Sequence, residues 1–320
     1  MSSLSPAPSC VQRPDHCDCL LSPREAGKGK GEGPHSVAAP FTRGGLLLAT
    51  AAACWPVWRW YAARLGDAGD DALGVAALVA LAILSAGGRD VIPRPAPARR
   101  WQTLPATAAL IAYAASFPFV PPLASALLAF AALGCSWSLW RHGTPFRPWT
   151  LGLALLGLPM ASSLQFYLGY PMRVASGAIA LVLLRLSGIP VMREGVYLRW
   201  GDELVMIDAP CSGVRMLWAA LLLGCCLAAL YRMRAGASLA TVAAAGVLAL
   251  LGNALRTTAL FWADTGWRSG VAGVALPPAA HEAIGVVAFA AAAAALIAIA
   301  RRLAGPTQGG IACTALPRSI

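Results

Sequence analysis

The strongest constraint in this chain is a series of apolar stretches, each close to the length needed to cross a bilayer. A membrane-crossing helix needs about 20 predominantly apolar residues. Stretches of this kind run over 44–61, 72–87, 105–120, 123–140, 149–167, 211–230, 238–260 and 281–300. Composition agrees: 58% of the 320 residues are hydrophobic and 12% are charged, against about 25% charged in soluble domains. The mean hydropathy is +0.64. A chain this poor in charge must solvate its apolar surface in lipid, so the expected fold is an all-α integral membrane protein, a bundle of about eight transmembrane helices.

Charge distribution orients the bundle. The net charge of +11 would suggest nucleic acid in a soluble domain, but here the arginines fill short gaps between apolar runs, which excludes that partner. "GGRDVIPRPAPARR", "RHGTPFRP", "YRMR" and the "RR" after the last run all fall on one side if the chain crosses eight times with both termini inside. By the positive-inside rule that side is cytoplasmic. A ninth apolar stretch, 172–187, would reverse "YRMR" and "RR" if it crossed, so it is expected to be an interfacial or re-entrant helix on the outer face. The segment that follows, "GIPVMREGVYLRWGDELVMIDAP", alternates apolar and polar residues around Gly201-Asp202 and predicts a small extracytoplasmic β-hairpin.

The membrane domain is thus expected over 43–303, between a disordered cytoplasmic tail (1–42) and a short cytoplasmic tail (304–320). The first tail is rich in Ser, Pro, Gly and charge and lacks the early apolar core of a signal peptide. Its "CDC" has no second ligand pair for zinc. No metal or other cofactor is expected. The cysteines within apolar runs read as small hydrophobes.

Polar residues inside the runs single out a candidate site. An ionisable residue within a span is costly unless paired or wet, and is a functional-site candidate by default. Arg256 lies near the outer end of the seventh run, with Asn253 on the same helical face. Cys211 and Ser212 open the sixth run, Arg215 follows Cys211 by one turn, and His281 opens the eighth. Separately these residues have ordinary readings: arginines that snorkel to headgroups, an interfacial histidine, a packing cysteine. Jointly, a Cys, an Arg and a His on three spans are brought by topology to one depth on one side. A thiol at a helix N-terminus favours thiolate, a histidine exchanges protons near neutrality, and an arginine holds an oxyanion or carboxylate. These are the parts of acyl transfer through a thioester.

"APCSGVRML", "GNALRTTALFW" and "HEAIGVVAF" resemble the three signature blocks of the exosortase/archaeosortase family. "ARLGDAGDDALGVAAL" and "GIPVMREGVYL" resemble two further blocks, so the likeness spans roughly 44 to 300. Asp208 stands where that family more often has Glu, and the Cys-bearing N-terminal tail lies outside its pattern. The resemblance implies a cysteine-type transpeptidase of the bacterial inner membrane with its active site on the periplasmic face. It implies that Cys211, Arg256 and His281 are catalytic, with Ser212, Arg215 and Asn253 in support. The implied substrates are exported proteins bearing a C-terminal signal of the PEP-CTERM kind (short motif, apolar helix, basic tail), and the partners membrane lipid and a glycan or lipid acceptor. Rival readings are a polytopic transporter, which would show repeated halves with interrupted helices where none is found, and a non-catalytic scaffold in exopolysaccharide export. Reporter fusions test the orientation: those after residues 95, 145 and 234 should report cytoplasm and those after 68, 200 and 270 periplasm. A cytoplasmic signal at 200 would place Cys211 on the wrong side and defeat the mechanism.

Overall fold

The computed structural model describes residues 43–66, 73–87, 100–201, 203–206, 212–265 and 277–305. The tails 1–42 and 306–320, Asp202, Asp208 and Cys211 lie outside the described residues. Within them the chain forms ten helices and one small sheet. The helices are α1 (Arg43–Ala53), α2 (Trp55–Leu65), α3 (Leu73–Ala86), α4 (Arg100–Ser116), α5 (Pro122–His142), α6 (Pro148–Leu156), α7 (Ala161–Leu186), α8 (Val214–Leu230), α9 (Ala235–Thr265) and α10 (Pro278–Ala304). Of these α5, α7, α9 and α10 are long and apolar enough to cross a membrane, and α3 and α8 are shorter apolar helices.

Prolines explain where helices and apolar runs part company. The run 44–61 is two helices that meet at Cys54, because Pro56 in the first turn of α2 has no N–H to continue the ladder. The run 149–167 is not one span: α6 stops after nine residues, and Gly157–Met160 separate it from α7. Pro159 disfavours helix at its predecessor and cannot donate. The gap is used for packing. Tyr61 donates to the Gly157 carbonyl at 2.9 Å, and a Cβ on Gly74 would stand 2.5 Å from that same oxygen.

The stretch 172–187, expected as a separate interfacial helix, is the C-terminal part of the 26-residue α7, which runs through Pro171. Its placement follows from its partners. Ser176 meets Asn253 of α9, and Leu184 shares a buried cluster with Phe261, so this part of α7 runs parallel to α9 along the last third of that helix.

Helices α8, α9 and α10 form an antiparallel unit floored by small residues. Ala220, Leu227, Ala245, Ala249, Leu296 and Ala300 are its buried core. Gly224 faces the Ala245 methyl, and Gly252 faces Ala292. Small side chains let helices approach closely where lipid offers no hydrophobic drive. α6 docks on α8, with Gly152 against the Cys225 sulfur. The close of α8, the start of α9 and the close of α10 share one end, where Arg301 approaches the Tyr231 hydroxyl. That end carries Arg232, Arg234, Arg301 and Arg302, basic residues expected to face the cytoplasm.

At the opposite end the expected hairpin is a three-stranded antiparallel sheet: β1 (Met192–Glu194), β2 (Tyr197–Trp200) and β3 (Glu203–Met206). Its register pairs Glu194 with Tyr197 and Trp200 with Glu203. Gly195, at φ 63°, makes the extra turn. Leu198 seats the sheet on Ile189, Val191, Leu184 and Phe261. The tight contact at Gly74 supplies a test. Gly74→Ala drives a Cβ into backbone and should cost about 1–3 kcal/mol, as overpacking does. Gly246→Ala, where the nearest atom is 3.9 Å away, should leave thermal stability in detergent unchanged.

Candidate active site

The site is built where the starts of α8 and α10 meet the last third of α9. Ser212 is 2% exposed, and its hydroxyl donates to Gln165 Oε1 of α7 at 2.8 Å. It also caps the turn by accepting from the Val214 N–H at 3.4 Å. Gly213 is left-handed, at φ 81°, and a Cβ there would lie 2.6 Å from Asn253 Cγ. Only glycine combines that conformation with that approach. Asn253 is itself fully buried and donates through Nδ2 to Ser176 Oγ at 3.0 Å. The turn that directly follows Cys211 is thus seated on α9 and tied to α7.

Arg256 lies one turn beyond Asn253 on α9. Its guanidinium packs against Gly285 of α10, where an added Cβ would stand 3.1 Å from Nε. Gly285 is one helical turn below His281, so Arg256 and His281 belong to one stretch of the α9–α10 seam. His281 faces a carboxylate that sequence reasoning missed: its Nε2 is 3.8 Å from Asp264 Oδ2, both side chains about one-third exposed. Arg215 points to the exposed side of the first turn of α8, the placement expected of a snorkelling arginine.

Depth can be read from chain length. Ser212 is twenty residues from Arg232, His281 is twenty from Arg301, and Arg256 is twenty-two from Arg234. At 1.5 Å per residue each lies roughly 30 Å from the basic end, about the thickness of the hydrocarbon core. The three helices therefore bring Ser212, Arg256 and His281 to the same end, with His281 a turn or more beyond Arg256, beside Asp264. Among the described residues no group of three or more His, Cys, Asp or Glu could hold a metal ion.

The model of a family described as transmembrane exosortase matches residues 41–298, which covers α1 to α10 almost entirely. The chain belongs to the transmembrane exosortase family. No curated protein and no solved structure matches it. Membership makes it a multi-pass membrane protein of a protease/transpeptidase family with a general role in protein sorting. In this exosortase-family chain the sequence signal missed for Gln165 and Ser176 was their position. They are polar residues eleven apart in α7, on one helical face. Asp264 gains its meaning only from the α9–α10 register that sets it beside His281. A direct check on the seat is Gly213→Ala, which meets both a left-handed backbone and the Asn253 side chain. The backbone alone costs about 1–2 kcal/mol. Thermal stability should fall by at least that much, whereas Gly236→Ala, with open space around it, should not move it.

Proposed function

We propose that this chain is a cysteine transpeptidase of the inner membrane that cleaves C-terminal sorting signals of exported proteins on the periplasmic side. The observation that carries the reading is that Ser212, Arg256 and His281 gather at the end opposite the basic residues of α8, α9 and α10, in a chain of the exosortase family.

The chemistry follows from the residues. Cys211, immediately before Ser212, attacks the scissile carbonyl carbon through its thiolate. The oxygen becomes an oxyanion that Arg256 stabilises. The C–N bond breaks as imidazolium His281 gives its proton to the leaving amine, and an acyl thioester remains. A hydroxyl or amine of an envelope glycan or lipid then attacks, its proton returns to His281, and the C–S bond breaks. Asp264 orients the imidazole. Asn253 and Ser212 hold the turn, and Arg215 anchors the start of α8 at the headgroups.

The substrate's apolar helix has a place to lie. A groove of about 640 Å³ runs between α7, α9 and α10, lined by Leu183, Leu255, Trp262, Ile284, Val287 and other mainly apolar residues. Leu255 adjoins Arg256, and Ile284 is one turn from His281, so a helix in the groove passes beside the site. Thr258, in its wall, already donates to the Ala254 carbonyl at 2.8 Å and asks nothing of an occupant.

Substitution separates chemistry from packing. Cys211→Ser should leave the amount of protein in the membrane unchanged and abolish processing, because a hydroxyl is far less acidic than a thiol. His281→Ala should do the same. Arg256→Lys keeps charge and loses the planar fork, with an expected loss on the order of 10²–10³ in rate. Arg215→Lys should be mild. The measurement is processing in cells of a reporter ending in a short PEP-type motif, an apolar helix and an arginine-rich tail, normalised to membrane enzyme. Normal processing by Cys211→Ser would refute the nucleophile and leave the scaffold or transporter reading.

A further inference from the structure

Helix α7 reaches the turn after Cys211 once directly and once through Asn253, with side chains that no role assigned so far explains. Gln165 accepts the hydroxyl of Ser212 at 2.8 Å, and Ser176 accepts the amide of Asn253 at 3.0 Å. Asn253 in turn fills the space beside Gly213, whose missing Cβ would stand 2.6 Å from it. Ser212, Asn253 and Ser176 are all nearly or fully buried. Gln165 and Ser176 are three turns apart on one face of α7, roughly 16 Å along the axis, yet one holds Ser212 and the other holds the asparagine that Gly213 presses on. A helix needing only to pack would fill such positions with apolar side chains, since a buried polar group is costly unless it is bonded.

We infer that Gln165 and Ser176 are positioning residues for the exosortase-type reaction, a two-point clamp by which α7 fixes the Ser212-Gly213 turn against α9. The inference rests on the functional reading above for its effect on rate, and on geometry alone for the clamp. Its direction is specific. In the Gln165–Ser212 bond the hydroxyl donates, so an acceptor is what position 165 must supply. Glutamate supplies one at the same reach, and leucine fills similar volume without it. The wall of the apolar groove, Leu183 and Leu186, lies farther along the same helix. Loss of the clamp should therefore lower kcat and leave KM unchanged, whereas filling the groove should raise KM.

The test uses the full chain in lipid nanodiscs, with the PEP-type reporter as probe. Gln165→Leu, Ser176→Val and Ser212→Ala should each lower kcat about tenfold, the scale of one lost buried hydrogen bond. KM should stay within about twofold. Gln165→Glu should recover most of the rate. Gln165→Leu combined with Ser212→Ala should be no worse than either alone, because both remove one bond. A parental kcat in Gln165→Leu, or additive losses in the double variant, would overturn the clamp. A second readout needs no activity: the rate of iodoacetamide alkylation at Cys211, followed by peptide mass spectrometry. It should change at least about threefold, in the same direction, in Gln165→Leu and Ser212→Ala, with Gln165→Glu near parental. Equal rates in all four proteins would overturn the clamp even where the reporter is cleaved. An uncleaved reporter alongside altered alkylation would overturn the functional reading and leave the clamp standing.

Discussion

The contact between Gly213 and Asn253 is the one on which the site end depends. A left-handed glycine lets the chain entering α8 press directly on the side chain of a fully buried asparagine of α9. Asn253 cannot be replaced there by an apolar residue of the same shape without orphaning Ser176, whose hydroxyl receives its amide. Everything else at this end is indexed to that seat. Arg256 stands one turn beyond Asn253, Gly285 is cleared to let its guanidinium through, and His281 follows one turn above Gly285. The Ala- and Gly-rich seams of α8, α9 and α10 hold the three backbones close enough for single-turn spacings on different helices to stay in step.

The helical membrane bundle was legible because it rests on a quantity the sequence states directly. Hydropathy over about 20 residues marks what lipid will accept, and the arginines of the gaps beside α8, α9 and α10 collect at one end of those helices, the grouping from which the positive-inside rule argues. The run 149–167 misled because hydropathy is indifferent to backbone continuity. Gly157 and Pro159 were visible, but their consequence was not: a carbonyl released from the ladder can be retained only if something donates to it, and that donor is Tyr61, ninety-six residues away. The sheet was half legible for the same reason. Gly201 announced one turn, and Gly195, inside "MREGVY", was read as part of a strand until its partner strand was known.

Site residues divide along a similar line. Arg256, Asn253, Ser212 and His281 could be singled out because a polar group in an apolar run is conspicuous. Gln165, Ser176 and Asp264 sit in more polar company, and each acquires meaning only from a partner on another helix. Their partners depend on which way α7 runs relative to α9, and on the α9–α10 register that brings residue 264 opposite 281. Hydropathy carries no information on either. α7 was the hardest element to read, since its apolar C-terminal half, counted as a ninth span, would reverse the sides of "YRMR" and "RR". It is instead one part of a helix that continues through Pro171, with Gln165 on one side of the proline bonded to Ser212 and Ser176 on the other to Asn253.

The depth of the site explains why these groups can share a membrane protein at all. A charged arginine at the bilayer centre costs several kcal/mol, and peptide chemistry also needs a route for water or an acceptor. Placed about 30 Å along α9 from the basic end, Arg256 reaches the far boundary of the hydrocarbon, where the cost falls and water is at hand. Asp264 lies a further 12 Å or so along the same helix, beyond the hydrocarbon, where a carboxylate beside His281 is tolerated with both side chains partly exposed. The apolar groove borders the same stretch, running beside and beyond Arg256 from Leu255 to Trp262 on α9 and below His281 from Ala283 to Ala291 on α10. On the function proposed above, a helical substrate would leave the bilayer beside Arg256 and His281, so that the length of its own helix, set against the thickness of the hydrocarbon, would fix which peptide bond arrives at the site.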